Sequence, residues 1–202
     1  MKIDFRKEYK NLYGASTKIA AIIDVPELNF LMVDGTGDPN TSAEYQGALE
    51  ALYALSYWLK FTVKKGKEGV DFAVMPLEGL WWAEDMAHFS PDRKDIWQWT
   101  AMIMQPEYVT EGLYRNALTE VAKKKNITSL SKVKLAPFHE GLCAQIMYIG
   151  PYSAEGPTIA LLHEYIHSKG HHLRGKHHEI YLGDPRRSAP EKLKTIIRQP
   201  MT

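Results

Sequence analysis

The sequence predicts an α+β fold in which two pseudo-symmetric βαββ units sit side by side, with helices on one side and a ligand groove between the units. Three observations carry that expectation. Two stretches of chain repeat one order of apolar patterns, and each holds a helical period between strand-like runs. The closing strands also end alike, in Ile103-Met104-Gln105-Pro106 and Ile197-Arg198-Gln199-Pro200. The repeats cover about residues 17–106 and 132–201 of one expected domain, 1–202, with a linking helix at about 110–125.

In the first unit Ile19-Ala20-Ala21-Ile22-Ile23 is a β-rich run. Asp24-Val25-Pro26-Glu27 reads as a turn into Phe30-Leu31-Met32-Val33, which ends at Asp34-Gly35. The second unit matches it with Val133-Lys134-Leu135, a turn near His139-Glu140-Gly141, and Ala144-Gln145-Ile146-Met147-Tyr148 running to Ile149-Gly150. Both are expected as hairpins or closely spaced strand pairs. Gly35-Thr36-Gly37-Asp38 then reads as a strand-to-helix turn.

A helix follows in each unit. Thr41-Ser42-Ala43-Glu44 has the capping-box pattern, in which the Thr hydroxyl and the Glu carboxylate meet free backbone donors. Tyr45, Leu49, Leu52 and Leu59 then share one face. The second helix begins around Pro157, where no backbone donor is needed, and carries Ile159, Leu162 and Ile166. Two strands close each unit: Phe72–Met75 and Trp99–Met104, then His177–Leu182 and Leu193–Arg198. The linking helix ends in Lys123-Lys124-Lys125, which suits the negative end of the helix dipole.

With 45% hydrophobic residues among 202, the chain can bury a substantial core. Twenty-five basic residues against 24 acidic ones leave no basic excess, which argues against nucleic acid as a partner. No run approaches the roughly 20 apolar residues of a membrane span, and the amino-terminal residues lack a signal-peptide pattern. Cys143 is the only cysteine and lies in an alternating run, so it reads as a buried strand residue rather than a nucleophile. A cytoplasmic protein, monomeric or homodimeric, is the expectation. Five tryptophans, four of them between Trp81 and Trp99, point to a flat surface for a small planar aromatic molecule.

Alternation on His177–Leu182 puts His178, Ile180 and Leu182 on one side and His177, Glu179 and Tyr181 on the other. The first set is expected against the core under the helix, leaving an imidazole, a carboxylate and a phenol toward the groove; a polar outer strand face is the plainer account. Pro76-Leu77-Glu78-Gly79-Leu80-Trp81-Trp82 reads as the equivalent turn, with Trp81 and Trp82 available for stacking. Trp97 and Trp99 extend that wall or pack in the core. Glu155 reads as a first-turn carboxylate at the helix dipole, or as a group at the groove mouth. Tyr148 and Tyr108 complete the candidates.

His163-Glu164-Tyr165-Ile166-His167 matches H-E-x-x-H, with His171, His172, His177 and His178 nearby. On the face set by Ile159, Leu162 and Ile166, however, Glu164 points to solvent, so no metal is expected. There is no phosphate-cradling or dinucleotide glycine motif and no nucleophile elbow, and no cofactor is expected.

Three segments together resemble the GyrI-like small-molecule-binding domain family: Pro76-Leu77-Glu78-Gly79-Leu80-Trp81-Trp82; Ile149-Gly150-Pro151-Tyr152 with Glu155; and His177-His178-Glu179-Ile180-Tyr181-Leu182-Gly183-Asp184-Pro185-Arg186-Arg187. The closing Lys192–Pro200 segment fits as well. The resemblance implies a paired βαββ fold and two kinds of member: ligand-sensing halves of multidrug-responsive regulators, which bind cationic aromatic drugs with a cleft Glu, and stand-alone proteins, including a branch that hydrolyses cyclopropanoid genotoxins. Leu77–Trp82 looks more like the hydrolytic branch. On that resemblance Glu179 and Tyr181 are the catalytic candidates, with a raised Glu179 pKa expected in a dry aromatic site. Trp81, Trp82, Trp99, Tyr108, Tyr148, Glu155 and His177 are the binding candidates. A non-catalytic binder of cationic aromatics is the alternative, and a zinc hydrolase the third.

Overall fold

The computed structural model describes residues 2–67, 69–86 and 89–202. The chain opens with a short strand β1 (Lys2–Ile3) and two one-turn helices, α1 (Phe5–Glu8) and α2 (Lys10–Tyr13). The first unit then runs β2 (Ala21–Thr36), α3 (Ala43–Lys65), a two-residue strand β3 (Asp71–Phe72) that pairs with β1, β4 (Leu77–Trp82) and β5 (Gln98–Gln105). Helix α4 (Glu111–Lys124) leads to the second unit: β6 (Lys134–Ile149), α5 (Gly156–Ser168), β7 (His177–Tyr181) and β8 (Lys194–Pro200).

The six long strands form one closed antiparallel ring in the order β2-β5-β4-β7-β8-β6, rather than two separate sheets. Its register is two-fold. Asn29 faces Pro137 as Ala144 faces Ile22. Leu77 faces Tyr181 as Glu179 faces Gly79, so a dyad runs between β4 and β7. The two matching closing tetrapeptides occupy equivalent places, since Ile103 faces Leu77 and Ile197 faces Glu179.

Several expected elements move. The Asp24–Glu27 and His139–Gly141 segments do not turn; each lies inside a single 16-residue strand. Pro26 falls before β5 joins β2 at Asn29, so on that edge its missing N–H breaks no ladder. Gly141 has φ +73°, a conformation glycine adopts without a Cβ penalty. The segment read as a turn at Leu77–Trp82 is strand β4, while Val74 and Met75 belong to no strand. The cap of α3 is Ser42, whose hydroxyl accepts from Tyr45 N at 3.2 Å, and Glu44 pairs instead with Lys132.

Helix α3 buries Ala48, Ala51, Leu52, Leu55 and Leu59 against the core, and α5 buries Leu162 and Ile166 against Ala144, Ile146 and Ile197. Both helices thus cover one face of the ring. Trp99 lies beneath the first turn of α3, edge-on to Tyr45 at 5.0 Å. Gly35 faces it across the ladder, where any Cβ would come within 2.2 Å of the indole.

Candidate functional site

The groove lies between the two helices, over β4 and β7, and encloses about 2030 Å³. Because Glu179 stands opposite Ile197, and Ile197 packs on α5, the His177–Glu179–Tyr181 side of β7 is the helix side. Ile180 packs with Ile196 on the opposite face. The sequence expectation is therefore inverted in one respect: the apolar side of β7 points away from the helices. The polar side has space because the helices stand apart there.

Glu179 is only 8% exposed and is held from two sides. His177 Nε2 lies 3.0 Å from Oε1, and the Tyr181 hydroxyl donates to Oε2 at 2.7 Å. Tyr181 in turn accepts from Trp81 Nε1 at 3.1 Å. Gly79 makes this possible, because a Cβ there would meet that indole nitrogen at 2.6 Å. Helix α5 brings the fourth member. Glu155 occupies its N-cap position but makes no capping bond, and its buried Oε2 meets no donor. The group beside it is the Glu179 carboxylate.

Two carboxylates in contact in a dry site cannot both ionise, so their affinities for protons separate. Burial, then the Glu179 charge, push Glu155 up to about 9. Burial works the same way on Glu179. The hydrogen bond and charge of His177, with hydrogen bonds from Tyr181 and Glu155, outweigh it and hold Glu179 below the ordinary carboxylate value. The raised carboxyl expected at Glu179 is thus found at Glu155. At neutral pH the pair carries one proton and one charge.

Aromatic rings surround the pair. Trp81 packs against Tyr45 at 5.7 Å and Trp97 at 5.7 Å, Phe89 stacks on Trp97 at 4.7 Å, and Tyr152 stands edge-on to Tyr181 at 5.5 Å. Of the residues singled out in the sequence, Glu179, Tyr181, His177, Glu155, Trp81 and Trp97 meet in the groove. Trp82, Trp99, Tyr148 and Tyr108 do not line it. Adjacent strand positions face opposite ways, so Trp82 turns to the other side, bonding Gln98 and lying beneath the Lys176 ammonium. Trp99 is fully buried. Tyr148 donates to Pro151 O, and Tyr108 packs at the core margin. Tyr45, Tyr152 and Phe89 are groove residues that the sequence reading missed. Tyr45 reads in the sequence only as an apolar helix position, Tyr152 appears there only within the Ile149–Tyr152 resemblance segment, and nothing local marks Phe89.

The opposite side of β7 carries a second polar cluster. His178 bridges Glu78 at 3.0 Å and Glu140 at 2.9 Å, and Arg198 binds Glu140, Gln145 and the Leu12 carbonyl. Tyr13 closes it with a 2.7 Å bond to Glu78. Burial opposes charge on His178, but Glu140 and Glu78 raise it to about 9; burial opposes charge on Glu140, but His178 and Arg198 lower it to about 2. Here every charge has a countercharge.

The H-E-x-x-H segment lies on α5. Glu155, Ile159 and His163 recur every fourth residue along the groove side, whereas Glu164 and His167 are exposed. Among the described residues no three His, Cys, Asp or Glu side chains are placed to share a metal.

Comparison with known proteins places this geometry in context. The sequence profile of the GyrI-like small molecule binding domain matches residues 21–200. An uncharacterized conserved protein from Listeria innocua is 44% identical, with 99% of this chain and 100% of that one aligned and a TM-score of 0.92. A protein from the same organism whose structure is described as a hydrolase is 44% identical over the full length of both chains, with a TM-score of 0.89. The EcmrR C-terminal domain, 12% identical over 91% of this chain and 97% of that one, has a TM-score of 0.54 and shares the fold. No curated protein matches the sequence.

Proposed function

This chain belongs to the GyrI-like small-molecule-binding family, and from that premise we propose that it is a hydrolase that opens the cyclopropane ring of cyclopropanoid compounds with water. The observation that carries the reading is an ionised carboxylate, Glu179, held by His177, Tyr181 and a protonated Glu155 inside an aromatic-walled groove. The description of 43–44% identical Listeria proteins as hydrolases supports an enzyme.

In the proposed step a cyclohexadienone fused to a cyclopropane lies between the aromatic walls. Glu179 takes a proton from water as the water oxygen bonds to the ring methylene. The carbon–carbon bond of the strained ring breaks, and its electron pair passes through the dienone to the oxygen, which takes up one proton and becomes the phenol hydroxyl of the same molecule. The proton removed and the proton gained cancel, and the product is the substrate plus one water. Tyr181 and His177 fix the carboxylate, and Trp81, Trp97 and Tyr152 hold the flat ring.

The test is mass spectrometry of a spirocyclopropyl-cyclohexadienone incubated with wild type and with Glu179→Gln. A gain of one water in wild type, largely lost in the variant, supports the hydrolase. Binding without any mass change overturns it in favour of the second reading, a protein that sequesters flat cationic aromatics. An ionised carboxylate among aromatic rings is the arrangement that favours such a cation.

A further inference from the structure

Three tyrosines crowd the carboxylate pair, and their hydroxyls are used differently. Tyr181 is committed, accepting from Trp81 and donating to Glu179. Tyr152 sits half-exposed on the turn before α5, where water can satisfy its hydroxyl. Tyr45 is the unusual one. It is 8% exposed and lines the groove, yet its hydroxyl makes no hydrogen bond to any described residue.

Its position is fixed with some care. The Ser42 cap anchors the first turn of α3 through Tyr45 N, and the ring is gripped between Trp81 and Trp99. The ring is buried, but its hydroxyl opens on the groove, where a ligand atom can take the place of water. Burial first, and then the Glu179 charge, push the Tyr45 phenol well above its ordinary value, so it remains a donor at all working pH. It faces the groove from α3, while Glu155 faces it from the α5 side.

We propose that Tyr45 is the hydrogen-bond donor to a ring oxygen of the bound ligand, and that this protein therefore selects flat aromatic molecules carrying a carbonyl or hydroxyl oxygen across the ring from the end that meets Glu155 and Glu179. In a ligand of this class the oxygen and the reacting carbon lie at opposite ends of a six-membered ring. Carboxylates that touch each other serve one end only, and a donor from the other helix serves the second. This rests on the proposed reading of the groove as the ligand site, but not on turnover. During ring opening Tyr45 would stabilise the negative charge that gathers on the oxygen, without itself losing its proton.

The test uses the full chain and two unreactive probes, a hydroxynaphthalene and the same naphthalene lacking the ring hydroxyl, with tetraphenylphosphonium, which has no hydrogen-bonding atom, as a third. Calorimetry is run on wild type, Tyr45→Phe and Tyr152→Phe. Wild type should prefer the hydroxylated probe by about tenfold. Tyr45→Phe should erase that preference while binding the other two probes within about twofold of wild type, and Tyr152→Phe should retain it. A preference that survives in Tyr45→Phe overturns the proposal. So does an equal loss for all three probes, which would mean packing alone, or a wild type without preference. None of these probes has a ring to open, so the result is independent of whether the mass-spectrometric test finds a hydrolase.

Discussion

At dyad-related positions of the ring, Leu77 in β4 and Glu179 in β7 stand in the same register, against Ile103 and Ile197. Further along the same ladders, Phe30 faces Met104 in the first unit where Gln145 faces Arg198 in the second. Gly79 likewise answers to Tyr181 across the dyad. One backbone has thus been built twice, with apolar or absent side chains in the first copy where the second places ionisable and hydrogen-bonding ones. The first unit contributes α3, the Trp81 wall and a glycine that lets an indole fold over the strand. The second contributes most of the buried charges, with Glu78 of β4 the first unit's exception. The asymmetry has a physical basis: buried charges require partners within hydrogen-bond reach, and clustering them lets each serve several others.

Within the second unit the two faces of β7 differ in completeness. The inner cluster around His178 balances two carboxylates against an imidazolium and a guanidinium. The groove cluster leaves Glu155 Oε2 without a donor. A closed network stabilises the ring, and an open one is available to a ligand.

The largest effect expected from breaking this contrast is in Glu179→Leu, which gives the second unit the first unit's residue. Hydrolysis should fall by about 10²–10⁴-fold, with the circular dichroism spectrum unchanged; retained turnover by mass spectrometry would relocate the base. Next comes the inner face. Glu140→Gln removes the partner of two buried cations and should cost about 3–5 kcal/mol in denaturant unfolding, whereas Glu155→Gln should cost little because no donor loses its acceptor.

Titration separates the faces further. The raised His178 contributes stability that is complete below its ordinary 6.5 and is lost as pH rises through about 9, while lowered Glu140 contributes stability present above 4.5 and lost as pH falls toward about 2. The melting temperature should therefore decline on both sides of that plateau. Glu155, raised to about 9, is protonated below that pH, so ligand affinity for a neutral aromatic should weaken above it, and Glu155→Gln should remove the dependence. Gly79→Ala, whose Cβ would collide with the Trp81 indole, should shift tryptophan fluorescence and weaken ligand binding several-fold. The smallest expected effect is in Trp82→Phe. It lies outside the groove, and calorimetry should find ligand affinity changed by no more than about twofold.

Much of this was legible beforehand. The closing tetrapeptides located the repeat, because register in a paired sheet forces equivalent residues into equivalent places. Strict alternation on His177–Tyr181 separated the two faces of β7, and Pro157 marked the start of α5. The long strands were misread because Pro26 and Gly141 are turn residues in isolation, and only the neighbouring strands keep the backbone extended through them. For Trp81 and Trp82 alternation requires opposite sides but cannot say which one meets a ligand, and for Trp99 groove wall and core packing stay open until the fold buries it.

The sequence by itself determined the α+β class, the doubled βαββ order, the side of β7 shared by His177, Glu179 and Tyr181, and the aromatic character of the groove. These follow from periodicity and from local backbone chemistry, which act over a few residues. Only the tertiary structure decided that Glu155 stands against Glu179, that the proton lies on the former, and that Tyr45 turns into the same groove a hydroxyl with no hydrogen bond to a described residue. Proton affinity and hydrogen-bond partnership depend on burial and on groups far apart in the chain, which closure of the ring and docking of the helices bring together.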